Sequence, residues 1–245
     1  MSDIQPNDNK HPLEGYLSSI SHNLKGPLPF GLKATDCLIL ELVEKFSDNS
    51  EIESSKIFLL AYSSWRNSVA LAQGGASSQV PICLRHSIEC GLHAYLFARE
   101  PIWAETWWKR EIDPTAKKKL RDGRNGPLKV AKSLLKIENE RVYNNANDFT
   151  EMLIDFGAHP NIFQLIDVYH EAVDHENGFD ELRVSFLSSN ENRERAFVKC
   201  GSAGLILADL FRIIWPDLAN DTRVMKLQME AVGQMRVYSN AVYKD

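Results

Sequence analysis

One segment limits what this chain can fold into more than any other: the stretch between Ser78 and Pro101 is apolar or small around almost a whole helical circumference. A helix of this kind is stable only when other elements cover most of its sides, as in the centre of a bundle. Its polar residues are confined to one wedge, formed by Arg85, His86, Glu89 and His93. The segment therefore predicts a helical domain built around a buried helix with a single polar face.

Helical patterns follow one another along most of the remaining chain, separated by prolines and glycines. Thr35 or Asp36 is a suitable N-cap for a helix that includes Phe46, and Ser77 or Ser78 is a suitable N-cap for the central helix. Further helices are predicted at 53–73, 102–110, 128–137, 138–156, 191–215 and 221–243. The small residues Gly201 to Gly204 within the penultimate helix indicate close helix packing. These patterns predict a mainly α fold, an irregular multi-helix bundle.

Two regions depart from the helical pattern. Residues 1–34 are rich in proline and glycine, so we predict no regular structure there, and an N-terminal arm that is partly disordered or wrapped on the domain. β-Favouring residues flank a turn-like segment near 162–188, which predicts a small β-hairpin, with a helix as the alternative over 162–173. No linker divides the remainder, and residues 35–245 are predicted to form a single helical domain.

Composition excludes several classes of protein. Residues 1–10 lack the apolar stretch of a secretory signal, and the run 204–215 is far short of the ~20 residues that a membrane span needs. The four cysteines form no C-x-x-C pair and no disulfide pattern. These features predict a soluble protein with reduced thiols in the cytoplasm, without a membrane partner.

Charge is distributed unevenly along the chain. Residues 109–136 carry ten basic and three acidic side chains, a local charge of +7 in a chain whose net charge is −5, so the remainder carries −12. Such a segment can attract an acidic partner or a phosphate-bearing ligand. The alternative is that the segment is simply a solvated loop and helix face. This alternative is favoured, because the aromatic residues that accompany basic residues in nucleic-acid binders are lacking.

The polar wedge has a structural and a functional interpretation. Arg85 and Glu89 are spaced for an ion pair, and a buried pair of this kind joins helices without any catalytic role. The functional alternative is a cleft in which Glu89 or a histidine transfers protons. His86, Glu89 and His93 are possible metal ligands, but the chain has no second copy of this arrangement. We therefore predict neither a metal nor another cofactor.

A tight turn supplies the second candidate feature. Gly157 is suited to end a helix and Pro160 prevents its continuation, which fixes the position of His159 between them. We predict that this turn faces the wedge, so that His159 approaches Arg85 and Glu89. The candidate polar groove consists of Arg85, His86, Glu89, His93, Arg110, His159 and Asn161.

Several of these residues stand in a pattern that resembles a family of uncharacterised bacterial helical proteins, over about residues 60–215. The pattern comprises Arg85-x-x-x-Glu89, Ala94-Tyr95, Pro101, Ala104-Glu105-x-Trp107, Arg110 and Asp155-Phe-Gly-Ala-His-Pro-Asn161. The resemblance implies a bacterial helical protein and supplies no activity. A looser resemblance is to the HEPN ribonucleases, which carry an Arg-x(4–6)-His motif. Seven residues separate Arg85 from His93 here, which departs from that spacing.

Two functions remain open on the sequence alone. The first is a non-enzymatic binding or regulatory protein that uses the polar inter-helix groove and associates with copies of itself. The alternative is a metal-independent HEPN-like ribonuclease in which Arg85 and a histidine, His93 or His159, act on a phosphodiester.

Overall fold

A computed structural model describes residues 12–46, 52–123, 125–155, 169–174, 179–184 and 187–244. Within these residues the fold is mainly α, with eleven α-helices, which confirms the predicted multi-helix architecture. None of these helices combines the length and the apolar character needed to cross a membrane.

The helices of the first half are α1 (Pro12–Asn23), α2 (Phe30–Phe46), α3 (Ile52–Gly74), α4 (Val80–Arg99), α5 (Pro101–Lys109) and α6 (Pro114–Leu120). A 3₁₀ turn, Ser77–Gln79, precedes α4. The second half contains α7 (Pro127–Glu138), α8 (Glu140–Leu153), β1 (Tyr169–Asp174), β2 (Phe179–Val184), α9 (Asn190–Ile214), α10 (Pro216–Ala219) and α11 (Thr222–Val242). The two strands pair antiparallel, with Tyr169 opposite Val184, inside the 162–188 region.

Proline and side-chain caps set most helix boundaries. Proline stands in the first turn of six of the described helices, where its missing N–H would be unpaired in any case: Pro12, Pro81, Pro101, Pro114, Pro127 and Pro216. Four starts, including that of α6, are capped by a side-chain oxygen that accepts from backbone N–H groups of the first turn, at Asp113, Asn139, Ser189 and Asp221. The boundaries of α5 to α8 are therefore encoded locally.

Helix α4 lies at the centre of the hydrophobic core, as its apolar circumference predicts. Leu84, Ile88, Ala94 and Leu96 on this helix are fully buried. Helix α3 lies antiparallel to it, and Ser87 Oγ donates to the carbonyl of Ala61 across the contact at 2.7 Å. Helices α5, α7, α8 and α9 also pack on α4. The central position of α4 thus leaves only its polar face to be covered by the shorter helices.

Glycines allow α9 to approach its neighbours closely. A Cβ on Gly204 would lie 2.4 Å from Thr35 Cγ2 and 2.9 Å from the Trp65 indole nitrogen. That indole donates to the Cys200 carbonyl at 2.7 Å, so α3 and α9 are joined at this point. A Cβ on Gly201 would overlap Met235 of α11. The small residues at 201–204 therefore permit close packing, as the sequence indicates.

The N-terminal region differs from the sequence prediction. Residues 12–23 form α1, whose first turn contains Pro12, and Asn23 Nδ2 donates to the Gly74 carbonyl of α3 at 3.0 Å. The predicted absence of regular structure is therefore wrong for this segment. Helix α2 begins at Phe30, before the predicted cap, because the Pro29 carbonyl accepts the N–H of Lys33.

The predicted caps of two helices are also wrong. Thr35 lies inside α2, and its hydroxyl donates to the Gly31 carbonyl at 2.8 Å. Asp36 accepts hydrogen bonds from Tyr62 and Arg66 of α3 instead of capping a helix. Ser77 lies in the 3₁₀ turn, so α4 begins without a side-chain cap. Thr35 thus bonds within its own helix and Asp36 bonds to α3, so neither side chain serves as the cap that local sequence assigns to it.

Substitution of Gly204 tests the close contact between α9 and α3. Gly204→Ala is expected to lower the free energy of unfolding by about 1–3 kcal/mol, because the new methyl group overlaps Thr35 and Trp65. Gly233→Ala in α11 is the matched control, since a Cβ there meets no atom within 4 Å. It is expected to raise the free energy of unfolding by about 0.5–1 kcal/mol through helix propensity. Urea denaturation measures both free energies of unfolding, and a change of the same sign in the two variants would contradict the close packing at Gly204.

Candidate functional site

The polar face of α4 forms the floor of a groove made of two adjoining cavities. The first cavity, about 600 Å³, extends toward α3, α5 and α6, and the second, about 500 Å³, toward α7 and α8. Glu89 and His93 line both cavities, as do Leu120, Arg121 and Pro127. The two cavities together are called the groove below. Their volumes are typical of pockets that hold small molecules.

The structure brings five of the seven predicted groove residues to this one place. His86 and Arg110 line the first cavity, Arg85 lines the second, and Glu89 and His93 line both. The other two predicted residues, His159 and Asn161, lie outside the described residues. The predicted approach of His159 to Arg85 and Glu89 stays a prediction.

The basic segment also lines the groove. Lys117 lines the first cavity, Lys129 and Lys132 line the second, and Arg121 lines both. These cations come from α6, from the turn after it and from α7, so the segment 109–136 folds onto the polar face of α4. The sequence predicts the wedge and the basic segment as separate features, and the structure combines them in one site.

A tight turn between α6 and α7 makes this arrangement possible. The Asp122 side chain accepts the N–H of Asn125 at 3.2 Å, which closes the turn. A Cβ on Gly126 would lie only 2.2 Å from the Asp122 carbonyl oxygen, so the turn requires glycine at this position. Pro127 then begins α7, which packs against α4. The Gly-Pro pair in the sequence predicts the turn, but it does not predict the direction in which α7 leaves it.

Arg85 and Glu89 form the ion pair that their spacing predicts. Arg85 Nε lies 2.8 Å from Glu89 Oε1, and the two side chains are 29% and 27% exposed. A pair with this exposure is partly solvated, and pairs of this kind contribute about 0.2–1 kcal/mol. The wedge is therefore open to the groove and is not a sealed ionic network.

His93 is held in one orientation by its own helix. Its Nδ1 lies 2.7 Å from the Glu89 carbonyl oxygen, so Nδ1 carries the proton and donates. Burial lowers the pKa of His93, and the nearby Arg110 guanidinium and His86 imidazole act in the same direction. The Glu89 carbonyl and carboxylate oppose this shift but do not reverse it. The imidazole is consequently neutral at pH 7, with Nε2 available as an acceptor.

His86 and Cys90 lie side by side but do not make a nucleophilic pair. Cys90 Sγ is 3.6 Å from His86 Nε2, within sulfur hydrogen-bond range. Burial and the neighbouring Glu89 charge raise the pKa of the Cys90 thiol to about 11. Because the thiolate is the reactive form of cysteine, this thiol is unreactive at neutral pH.

Arg110 and Trp107 form a planar wall of the first cavity. The Arg110 guanidinium lies 4.0 Å from the centre of the Trp107 ring, and Arg110 Nε is 3.1 Å from Glu111 Oε1. Trp107 meets Phe97 of α4 edge to face at 6.4 Å, which fixes the ring against the core. A stacked guanidinium keeps its own face and several N–H groups available.

The three neighbouring tryptophans on α5 have separate positions. Trp103 is buried at 6% exposure, Trp107 is partly buried in the cavity wall, and Trp108 is 51% exposed. Trp108 donates to Glu53 of α3.

Among the described residues, no group of three or more His, Cys, Asp or Glu side chains is arranged to hold a metal ion.

Stability as a function of pH tests the state of His93. The lowered pKa means that the unfolded chain, with an ordinary pKa near 6.5, takes up the proton first as pH falls. The stabilisation is therefore present above pH 6.5 and is lost as pH falls through the lower native pKa. His93→Gln is expected to flatten this decline in chemical denaturation, and His22→Gln on exposed α1 to leave it unchanged. An unaltered slope in His93→Gln would contradict the assignment.

Comparison of the whole chain with protein-family models, with curated proteins and with solved structures finds no match.

Proposed function

We propose that this protein is a non-enzymatic binding or regulatory protein whose groove holds an anionic, phosphate-bearing ligand. One observation carries the proposal: cations from α6, the following turn and α7 converge on the polar face of α4. Convergent cations beside hydrogen-bonding groups in a concave site are the usual means of holding phosphate.

The charges that line the groove support an anionic ligand. Six cations face four acids there, and two of the acids, Glu89 and Glu111, pair with Arg85 and Arg110. A third acid, Asp122, accepts a backbone N–H in the turn. Exposed Glu151 is the fourth. The cations of the basic segment outnumber the acids that remain.

Three cations remain available to a ligand. No ion pair within the described part of the chain engages Lys117, Arg121 or Lys129. The Lys132 ammonium donates to Asn147 Oδ1 at 3.0 Å, which leaves two of its N–H bonds for another acceptor. An anion bound between these groups would replace water without breaking a buried ion pair. Its binding free energy is therefore not reduced by the loss of such a pair.

A cytoplasmic location and self-association are part of the same proposal. Cys37, Cys83, Cys90 and Cys200 are free thiols, which suits a reducing compartment. Exposed Met225, Met229 and Val232 follow one face of α11, which supports contact with another copy of the chain. The resemblance to bacterial helical proteins supports a bacterial origin.

Binding of inorganic tripolyphosphate tests the groove directly. In calorimetry at low salt, Arg121→Ala/Lys129→Ala is expected to weaken the affinity about tenfold or more, because two charge-assisted contacts are lost. Lys226→Ala/Arg236→Ala removes the same charges from the exposed surface of α11 and is expected to change the affinity by less than about twofold. An equal loss in both pairs would contradict a specific groove.

A HEPN-like ribonuclease is the second candidate function. The observation that favours it is the neutral His93, whose Nε2 can accept a proton beside Arg85 and Arg121 in one groove. A general base of this type requires a neutral imidazole at the working pH. The separation of Arg85 from His93 along α4, however, still departs from the HEPN motif.

RNA cleavage distinguishes the two functions. Purified protein is expected to bind short single-stranded RNA weakly and to leave it uncut in the absence of added metal, as judged by gel analysis of end-labelled RNA. Cleavage that falls roughly 100-fold in both His93→Ala and His159→Ala would show general acid–base catalysis and would replace the binding proposal. Cleavage that persists in both variants would indicate a contaminating nuclease.

A further inference from the structure

We propose that the ligand of the groove is a nucleoside phosphate, with its base in the first cavity and its phosphates in the second. This inference rests on the proposed function and specifies its ligand class. It follows from a chemical difference between the two cavities, which share a floor but have different walls.

The first cavity has the flat and apolar groups that a nucleobase needs. Arg110 lies on the Trp107 ring at 4.0 Å, so a base can stack on the outer face of the guanidinium. Ile57 and Leu60 of α3 line the same cavity and provide apolar contact. His93 Nε2 can accept an N–H from the base edge, because Nδ1 already donates to the Glu89 carbonyl.

The second cavity has groups suited to phosphate. Lys129 and Lys132 project from successive turns of α7, and Arg121 lies at the boundary with the first cavity. Gly123 and Gly126 line the same cavity, so the backbone of the turn can approach a bulky anion closely. The acids of this cavity are Glu89, which Arg85 engages, together with Asp122 and Glu151.

The dimensions of the groove favour one nucleotide over a polymer. The two cavities, about 600 and 500 Å³, lie within the range of pockets that hold drug-sized ligands. Arg121 lines both of them, which places a cation between base and phosphates. A ligand with a flat ring at one end and several negative charges at the other fits this polarity, and nucleoside triphosphates have that form.

Calorimetry with ATP, GTP, UTP and tripolyphosphate tests the assignment. At least one nucleotide is expected to bind about tenfold tighter than tripolyphosphate, because base stacking adds to phosphate contact. Arg110→Lys keeps the charge but removes the planar stacking surface, so it should lower nucleotide affinity about tenfold and leave tripolyphosphate affinity within about twofold. His86→Ala, at an exposed side chain, should likewise lower nucleotide affinity more than tripolyphosphate affinity. Lys129→Ala/Lys132→Ala should weaken both probes.

The outcomes separate this inference from the proposed function. Equal affinities for nucleotides and tripolyphosphate, with no effect of Arg110→Lys, would overturn the nucleotide assignment and leave an anion-binding groove. No binding of any probe at low salt would overturn the proposed function as well. A single-stranded RNA octamer that binds more than about tenfold tighter than every mononucleotide would show that a polymer is the ligand and would also overturn the inference.

Discussion

The burial of α4 between α3 and α9 is the constraint on which the rest of the structure depends. Gly91 of α4 faces Leu207 and Leu210 of α9, and a Cβ there would lie 2.9 Å from the first of these side chains. Close packing of this kind removes two sides of α4 from water and leaves its polar wedge as the only face that tolerates solvent. The shorter helices must therefore cover that face incompletely, and a groove results.

A second set of contacts fixes α7, which forms a wall of the second cavity. Arg99 at the end of α4 forms two hydrogen bonds with the Glu138 carboxylate at the end of α7, at 2.9 and 2.6 Å. Tyr95 donates to the same carboxylate, and Arg99 also donates to the Ile213 carbonyl of α9. The Arg99 guanidinium holds the pKa of Glu138 below its ordinary value. Three helix ends are thus joined, which anchors α7 against α4.

The sequence predicts the elements of this protein better than their arrangement. The apolar circumference of α4, the Gly-Pro turn and the proline-initiated helices are local signals, and the structure follows them. The hydrogen-bond partners of polar residues are harder to predict from local sequence, because tertiary partners compete with helix capping. Asp36, for example, pairs with Tyr62 and Arg66. A short amphipathic helix such as α1 was missed because its proline lies in the first turn, where it does not oppose helix formation.

The candidate site shows the same limit. Arg85, His86, Glu89 and His93 could be found because helical spacing alone places them on one face. Lys129 and Lys132 could not be joined to them, since the direction of α7 is set by the turn at Gly126 and by the distant contact between Arg99 and Glu138. Separation along the sequence does not predict separation in space here. Two consecutive helices, α6 and α7, fold back so that the basic segment lies against a polar wedge some thirty residues earlier in the chain.

Net charge then decides what kind of ligand such a groove can favour. The chain carries −5 overall, and −12 outside residues 109–136, so its distant field repels anions. Attraction is confined to about 8–10 Å from the groove at physiological salt, where Lys117, Arg121 and Lys129 dominate. A small anion can remain entirely among these cations, whereas a longer one would extend beyond the groove. Affinity must therefore come from the convergence of side chains at α4, which is a property of the packed helices and not of composition.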